Sequence, residues 1–345
     1  MKPPYTVTPQ ILKSVSDISI KIGEVNANYL TKQSPKLRKS NRIKTIHSSL
    51  KIEGNSLSID QITALVENKK IIGPEKDIRE VLNAIQVYDK LDKYDACSEQ
   101  SFLKAHKTLM NGLIKSPGKY RTTGIGIVKG SQVKHVAPPP ANVTYLIKDL
   151  FRYLKNGDEL ALIKSSVFHY ELEFIHPFSD GNGRMGRLWQ TLILMNEFPV
   201  FEFLPFETLI SKKQNEYYSA LSKSDKVGNS TFFIEFMLKI INESLGELLQ
   251  YKSRIMTNID RIEYYLLIGQ KEFSRKDYMS VFKDIIIEQS RDLDEIESVA
   301  NDIELLVKDL KIKSENYRKR WFFSDQKRTY EFSQEKGSFI ESPSA

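Results

Sequence analysis

Within twelve residues, His176-Pro177-Phe178-Ser179-Asp180-Gly181-Asn182-Gly183-Arg184-Met185-Gly186-Arg187, the chain collects an imidazole, a carboxylate, two glycines around an asparagine, and two arginines three apart. Those residue types suit work on a polyphosphate. Gly181 and Gly183 can take positive φ and carry no side chain, so the backbone can wrap closely around phosphate oxygens. Asp180 is a hard oxygen ligand, suited to Mg²⁺ shared with substrate phosphates. Arg184 and Arg187, at i and i+3, put two forked guanidinium groups on one helix face. His176 at the loop entry is the side chain best poised to take a hydroxyl proton near neutral pH.

These groups act together only if flanking elements hold them. Before the stretch, Ile163, Val167, Tyr170 and Phe174 mark one face of a helix. After it, Met185, Leu188, Leu192 and Met195 mark a second. The stretch is therefore helix, tight loop, helix. The loop feeds the second helix at its N-terminus, where unpaired N–H groups and the helix dipole favour an anion.

His176 to Arg187 resembles the signature of the Fic family, HPFx(D/E)GNGRxxR, at every specified position. The resemblance implies an enzyme that transfers AMP from Mg-ATP to a Ser, Thr or Tyr hydroxyl of a target protein or of itself. It assigns His176 as general base, Asp180 as Mg²⁺ ligand, and Gly181, Asn182 and Gly183 as the anion hole. Arg184 and Arg187 would hold the β- and γ-phosphates, and Phe178 would anchor the loop in the core. The Fic relative that phosphorylates its target carries Lys where Gly183 stands, so the glycine points to adenylyl transfer.

Upstream, Ile43, Ile46 and Leu50 give a helical face ended by Gly54-Asn55, residues that tolerate a left-handed C-cap. Ser49-Leu50-Lys51-Ile52-Glu53-Gly54 resembles the family's inhibitory motif, (S/T)xxxE(G/N), and its place before the core is that of class II members. The resemblance implies that Glu53, with Ser49, reaches the nucleotide site and pairs with Arg187. A carboxylate on the arginine meant for the γ-phosphate leaves ATP badly oriented.

Between these motifs, Ser58 to Gln61 forms a capping box, Gly73-Pro74 breaks the chain, and residues 78–91 and 102–110 follow as helices, with His106 packed in the core. Residues 117–140 change character: β-branched residues and glycines surround a turn near Gly130-Ser131, which predicts a β-hairpin. Pro138-Pro139-Pro140 then leads to a helix from about Asn142. In the family, a Gly-x-Tyr-Arg segment and a His-x-x-Pro-Pro-Pro segment frame a flap that pairs with the target's backbone. His135 is structural or flap-positioning in this reading, not catalytic.

The expected fold class is mainly α: a Fic-type helical core with a β-hairpin flap, plus a small C-terminal winged-helix-like (α+β) domain. Residues 1–110 would be an N-terminal helical region carrying the inhibitory helix at about 41–54. Residues 111–250 would form the core with flap (117–140) and motif (176–187), and residues 255–345 the C-terminal domain. In the last, Trp321-Phe322-Phe323 and Thr329 to Phe332 are expected as short strands, and residues 296–310 as a helix.

Composition sets outer bounds. The 345 residues are 40% hydrophobic and 28% charged, ordinary for a globular protein. No apolar run approaches the ~18 residues that span a bilayer, and MKPPYTVTPQ lacks the apolar core of a signal peptide. The one cysteine, Cys97, cannot form an internal disulfide, which fits a cytoplasmic location. The net charge of +7 is concentrated in residues 31–51 and 308–328. Both read as solvated faces, with nucleic acid as the less favoured partner, since Asp292, Asp294, Glu295 and Glu297 suit a DNA groove poorly. A homodimer, common in class II relatives, is a further expected partner. Two other functions remain open: removal of AMP with Glu53 orienting a water, and nucleic-acid-binding regulation through residues 255–345.

Overall fold

The computed structural model describes residues 2–29, 35–129, 132–253, 272–274, 320–323, 328–333 and 338–342. Two compact units divide the chain, Met1–Leu249 and Gln250–Ala345. The described residues are mainly helical.

In chain order the first elements are α1 (Pro9–Tyr29), α2 (Pro35–Ile52), α3 (Ile59–Val66), α4 (Glu75–Tyr88) and α5 (Glu99–Leu109). The strands β1 (Gly126–Lys129) and β2 (Gln132–Val136) come next, then α6 (Pro140–Asn156), α7 (Ala161–Ile175) and α8 (Asn182–Glu197). Among the described residues α9 (Glu207–Lys212), α10 (Gln214–Val227) and α11 (Thr231–Ser253) follow.

The local chemistry accounts for the boundaries. Ser58 and Gln61 close a reciprocal capping box at the start of α3, with bonds of 3.2 and 2.9 Å. Pro74 stands immediately before α4, and Pro140 opens α6 two residues ahead of the expected start, because proline's fixed φ suits the first helical turn. Helix α2 begins six residues earlier than the expected 41, carried through a basic stretch by good helix formers.

Helix α7 is buried on almost every face, its polar Ser165, Ser166 and His169 included. It packs along α8, and a cluster of aromatic rings fills the space around them: Phe102, Phe151, Phe168, Phe178 and Trp189 meet at 5.0–6.4 Å, mostly edge to face. Each such buried side chain contributes about 1.5–3 kcal/mol relative to exposure. Trp189 also donates its indole N–H to the Ala96 carbonyl at 2.9 Å, so its one polar atom is satisfied. The core therefore fixes α7 and α8, the two helices that carry the motif.

β1 and β2 pair antiparallel, Gly126 opposite Val136 and Lys129 opposite Gln132, with an irregularity between Ile127 and Val128. In the second unit, β3 (Glu272–Ser274) pairs parallel with β4 (Arg320–Phe323). Strand β4 pairs antiparallel with β5 (Arg328–Ser333), and β5 with β6 (Ser338–Ser342). The helix expected at 296–310, on which a winged-helix reading depends, lies outside the described residues. Among the described residues, no helix is long and apolar enough to cross a membrane.

Candidate active site

His176 closes α7 in the left-handed conformation, φ 49° and ψ 60°, a backbone region costly for a residue with a Cβ. Arg121 holds it there. This arginine, 5% exposed, donates Nε–H to the His176 carbonyl at 2.7 Å and its other donors to the carbonyls of Thr123, Pro138 and Ile175. Its own N–H binds the Pro177 carbonyl at 2.8 Å. One buried guanidinium thus satisfies the frayed end of α7 and ties the segment after the β-hairpin to it. Burial lowers the Arg121 pKa from the ordinary value. On the His176 ring, Nδ1 lies 3.4 Å from the Glu173 carbonyl. That acceptor favours the proton on Nδ1 and leaves Nε2 as the free base.

Phe178 is fully buried and stacks on His106, ring centroids 3.5 Å apart and nearly parallel. The Asn182 side chain latches the same residue twice, accepting from the Phe178 N–H at 2.9 Å and donating to its carbonyl at 3.0 Å. His106 accepts the Gly118 N–H on Nδ1 at 2.8 Å and lies 3.0 Å from the Asp180 carbonyl on Nε2. It is a neutral strut, and burial brings its pKa down to about 4.

Gly181 precedes α8 with φ 87°, and a Cβ there would stand 2.7 Å from Met110 Sδ. Gly183 behaves otherwise. It lies inside α8 without positive φ, and its bare Cα is needed because a Cβ would fall on Glu53 Oε1 and 3.1 Å from an Arg187 guanidinium nitrogen. Of the two glycines expected to offer positive φ, one does so and the other offers room.

Asp180 is half exposed. Its Oδ1 accepts the Gly181 N–H at 2.6 Å and an Arg184 N–H at 3.1 Å. Arg184 is 4% exposed and also pairs with buried Glu80 at 3.1 Å. Glu80 in turn accepts from Asn55 at 2.9 Å, the residue that follows Glu53-Gly54.

Arg187 is fully buried. Its Nε donates to Ser49 Oγ at 3.1 Å, and one terminal nitrogen donates to the Ser49 carbonyl at 2.9 Å and to Glu53 Oε1 at 2.8 Å. Burial works against its charge, yet Glu53, Tyr217 and Glu173 more than offset that, and the pKa stands above the ordinary arginine value. Its second terminal nitrogen is buried without a hydrogen-bond partner. The end of α2 aims the carboxylate. Gly54 takes φ 90°, the Asn55 N–H binds the Leu50 carbonyl at 3.1 Å, and the Gly54 N–H binds that of Lys51 at 3.0 Å. This is a Schellman closure with Glu53 as its C-cap.

So Ser49, Glu53, His176, Asp180, Gly181, Asn182, Gly183, Arg184 and Arg187 converge around the start of α8. Arg121, the arginine of the Gly-x-Tyr-Arg segment, completes the frame with His106, Glu80 and Asn55. A sequence signal existed for Asn55, which follows a glycine at a helix end, and for Glu80, an acid beside Val81 on a helix with an apolar face. His135 lies in β2, paired opposite Ile127.

Among the described residues, no group of three or more His, Cys, Asp and Glu is arranged to hold a metal ion. A divalent ion here would have to share its ligands between Asp180 and substrate phosphates, the usual way Mg²⁺ is bound, so the residues present fit that group.

Residues 96–194 match a family model described as the Fic/DOC family. A solved Fic family protein of Desulfovibrio desulfuricans G20 is 42% identical, with a TM-score of 0.70 over 82% of this chain and 86% of that one. "Protein adenylyltransferase fic-1" of Caenorhabditis elegans is 29% identical over 63% of this chain and 42% of its own length. Its Caenorhabditis briggsae counterpart is 31% identical, over 56% and 38%. A probable protein adenylyltransferase of Aquifex aeolicus is 28% identical, over 68% and 77%. The chain thus spans about two fifths of the length of the Caenorhabditis relatives.

Proposed function

The chain belongs to the Fic family, and on that premise we propose that it is a protein adenylyltransferase held back by its own Glu53. The observation that carries this reading is the Arg187 guanidinium, bound by Ser49 and Glu53 where a substrate's terminal phosphate would otherwise lie. Relatives that bear the adenylyltransferase name support the reaction class.

In the reaction, ATP lies across the start of α8. The N–H groups after Gly181 donate to the phosphate oxygens, and the bare Cα of Gly183 lets them approach closely. Arg187, once free of Glu53, grips the γ-phosphate, and Arg184 contributes positive charge beside the β- and γ-phosphates. Mg²⁺ would be held by Asp180 and supplies charge neutralisation on the phosphates when bound. His176 Nε2 takes the proton of a Ser, Thr or Tyr hydroxyl on the target. That oxygen bonds to the α-phosphorus, the bond from the α-phosphorus to its bridging oxygen breaks, and pyrophosphate leaves with the electron pair. The β1–β2 hairpin acts as the flap that pairs with the target's backbone.

On this reading residues 111–250 are the catalytic core and the α2 region the inhibitory element. The lone cysteine suits a reducing, cytoplasmic setting. ATP labelled on the α-phosphate, in parallel with ATP labelled on the γ-phosphate, tests the reaction with Glu53→Gly protein, Mg²⁺ and cell lysate. Protein-bound label from the α position alone, lost with His176→Ala, is the expected result. Label from the γ position would replace adenylyl with phosphoryl transfer. Loss of AMP from a pre-modified target in the presence of Glu53, with water as the attacking group and free AMP as product, would assign hydrolytic removal instead.

A further inference from the structure

The inhibitory helix cannot be held by Glu53 alone, because one partly exposed carboxylate (31% exposed) competes directly with nucleotide. Burial of Ile43, Ile46, Leu50 and Ile52 seats α2 in the core, and directional polar contacts set where along α8 it presents Glu53. The strongest polar feature away from the nucleotide groups is Glu207, the first residue of α9. Its side chain is 0% exposed. It accepts two hydroxyl hydrogen bonds from two different helices: Thr45 Oγ1 on α2 at 3.4 Å, and Thr191 Oγ1 on α8 at 3.2 Å. Thr45 is one turn before Ser49 and two turns before Glu53 along α2; Thr191 is one turn after Arg187 along α8. One buried carboxyl therefore sets the spacing of the helix that blocks against the helix that is blocked.

Neighbouring contacts run the same way. Ser48 donates to Thr208 Oγ1 at 3.2 Å, and Gln214 donates to the Ile52 carbonyl at the end of α2 at 2.9 Å. Burial pushes the Glu207 carboxyl up to about 7, with its own backbone N–H, Arg187, Thr191 and Thr45 opposing that rise. A carboxyl kept in such a place without a full counter-ion needs its hydroxyl partners. It makes none of the contacts a nucleotide would use.

We propose that Glu207 is a positioning residue that docks the inhibitory helix α2 against the motif helix α8, so that the strength of self-inhibition is set at α9 as well as at Glu53. The proposal rests on the reading of Glu53 as inhibitor. Removing Glu207 frees the docking while leaving the hydrogen bonds of Arg187 in place, and the Glu53→Gly background reads separately any effect of the lost charge on Arg187.

The test compares Glu207→Met and Glu207→Gln, each with Glu53 present and in the Glu53→Gly background, by transfer of labelled AMP. Glu207→Met raises turnover of the Glu53-bearing protein about five- to thirty-fold, the effect of one or two lost hydrogen bonds. It changes the Glu53→Gly protein much less, and Glu207→Gln, which keeps an acceptor, retains most of the inhibition. A merely structural role lowers both backgrounds by the same factor, and that result overturns the proposal, as does no change in either. Hydrogen exchange decides the docking independently of catalysis: amides of residues 45–53 exchange faster in Glu207→Met than in the parent. If Glu53→Gly is no more active than the parent while that exchange still rises, the inhibitory reading fails and the docking role stands. Unchanged exchange removes the docking role.

Discussion

Gly181 and Gly183 stand two residues apart and are glycine for different reasons. Gly181 needs its left-handed backbone, so Gly181→Ala meets strain and the Met110 sulfur together and should cost about 1–2 kcal/mol, a Tm several degrees lower. Gly183 is helical, where alanine is the better helix former, but in the parent a Cβ there would fall on Glu53 Oε1, so Gly183→Ala should lower Tm in the parent and leave it unchanged or slightly raised only in the Glu53→Gly background. Its methyl group takes the space beside Arg187, and AMP transfer in the Glu53→Gly background should fall at least tenfold. Thermal melts and labelled-ATP assays on the two variants separate the roles. A sequence can mark both positions as glycine, but which needs φ and which needs room is a property of what packs overhead. The left-handed His176 was likewise hidden, because its conformation depends on Arg121, 55 residues away in the chain.

At the scale of elements, apolar spacing of 3 and 4 made α7, α8 and the end of α2 readable, and Gly54-Asn55 announced the Schellman closure that aims Glu53. Boundaries were less readable where prolines and basic residues share a helix, as at the starts of α2 and α6. The polar frame was the least readable part. His106 was expected as a core residue, and it is buried; what spacing did not show is that both ring nitrogens hold loop backbone. Arg121 belongs to the same class. Arg121→Ala leaves the carbonyls of Thr123, Pro138, Ile175 and His176 without this donor. The expected outcome is a loss of about 2–4 kcal/mol in denaturant unfolding and loss of AMP transfer from misplacement of His176. Arg121→Lys should rescue little, because a point charge cannot reproduce the fork.

At the scale of the molecule, stability against pH reflects opposing buried groups. The folded Glu207 and Glu171 stand at about 7, above the ordinary 4.5; burial is the main cause in both, and Asp225 adds to it at Glu171. The unfolded chain therefore releases those protons first, and their contribution to stability, full below about 4.5, is lost as pH rises to about 7. His106, brought down to about 4 from 6.5, acts oppositely: its contribution is present above 6.5 and lost as pH falls towards 4. Glu207→Gln should thus gain Tm relative to the parent progressively between pH 4.5 and 7, whereas His106→Gln should gain it as pH falls across the same range. Melting curves at half-unit pH steps check both signs. The mainly helical composition of the first unit was legible in the pattern of apolar residues, and the strands at 320–323 and 328–333 fall on aromatic-rich runs.

In the proposed function, Glu53 restrains the site by occupying Arg187. Turnover of α-labelled ATP into protein, measured for the parent, Glu53→Gly and Glu53→Gly/His176→Ala, tests it most directly. Removing one charge-assisted hydrogen bond should raise transfer about ten- to a hundred-fold in Glu53→Gly, and the added His176→Ala should abolish that gain. Equal transfer by the parent and Glu53→Gly would contradict the claim.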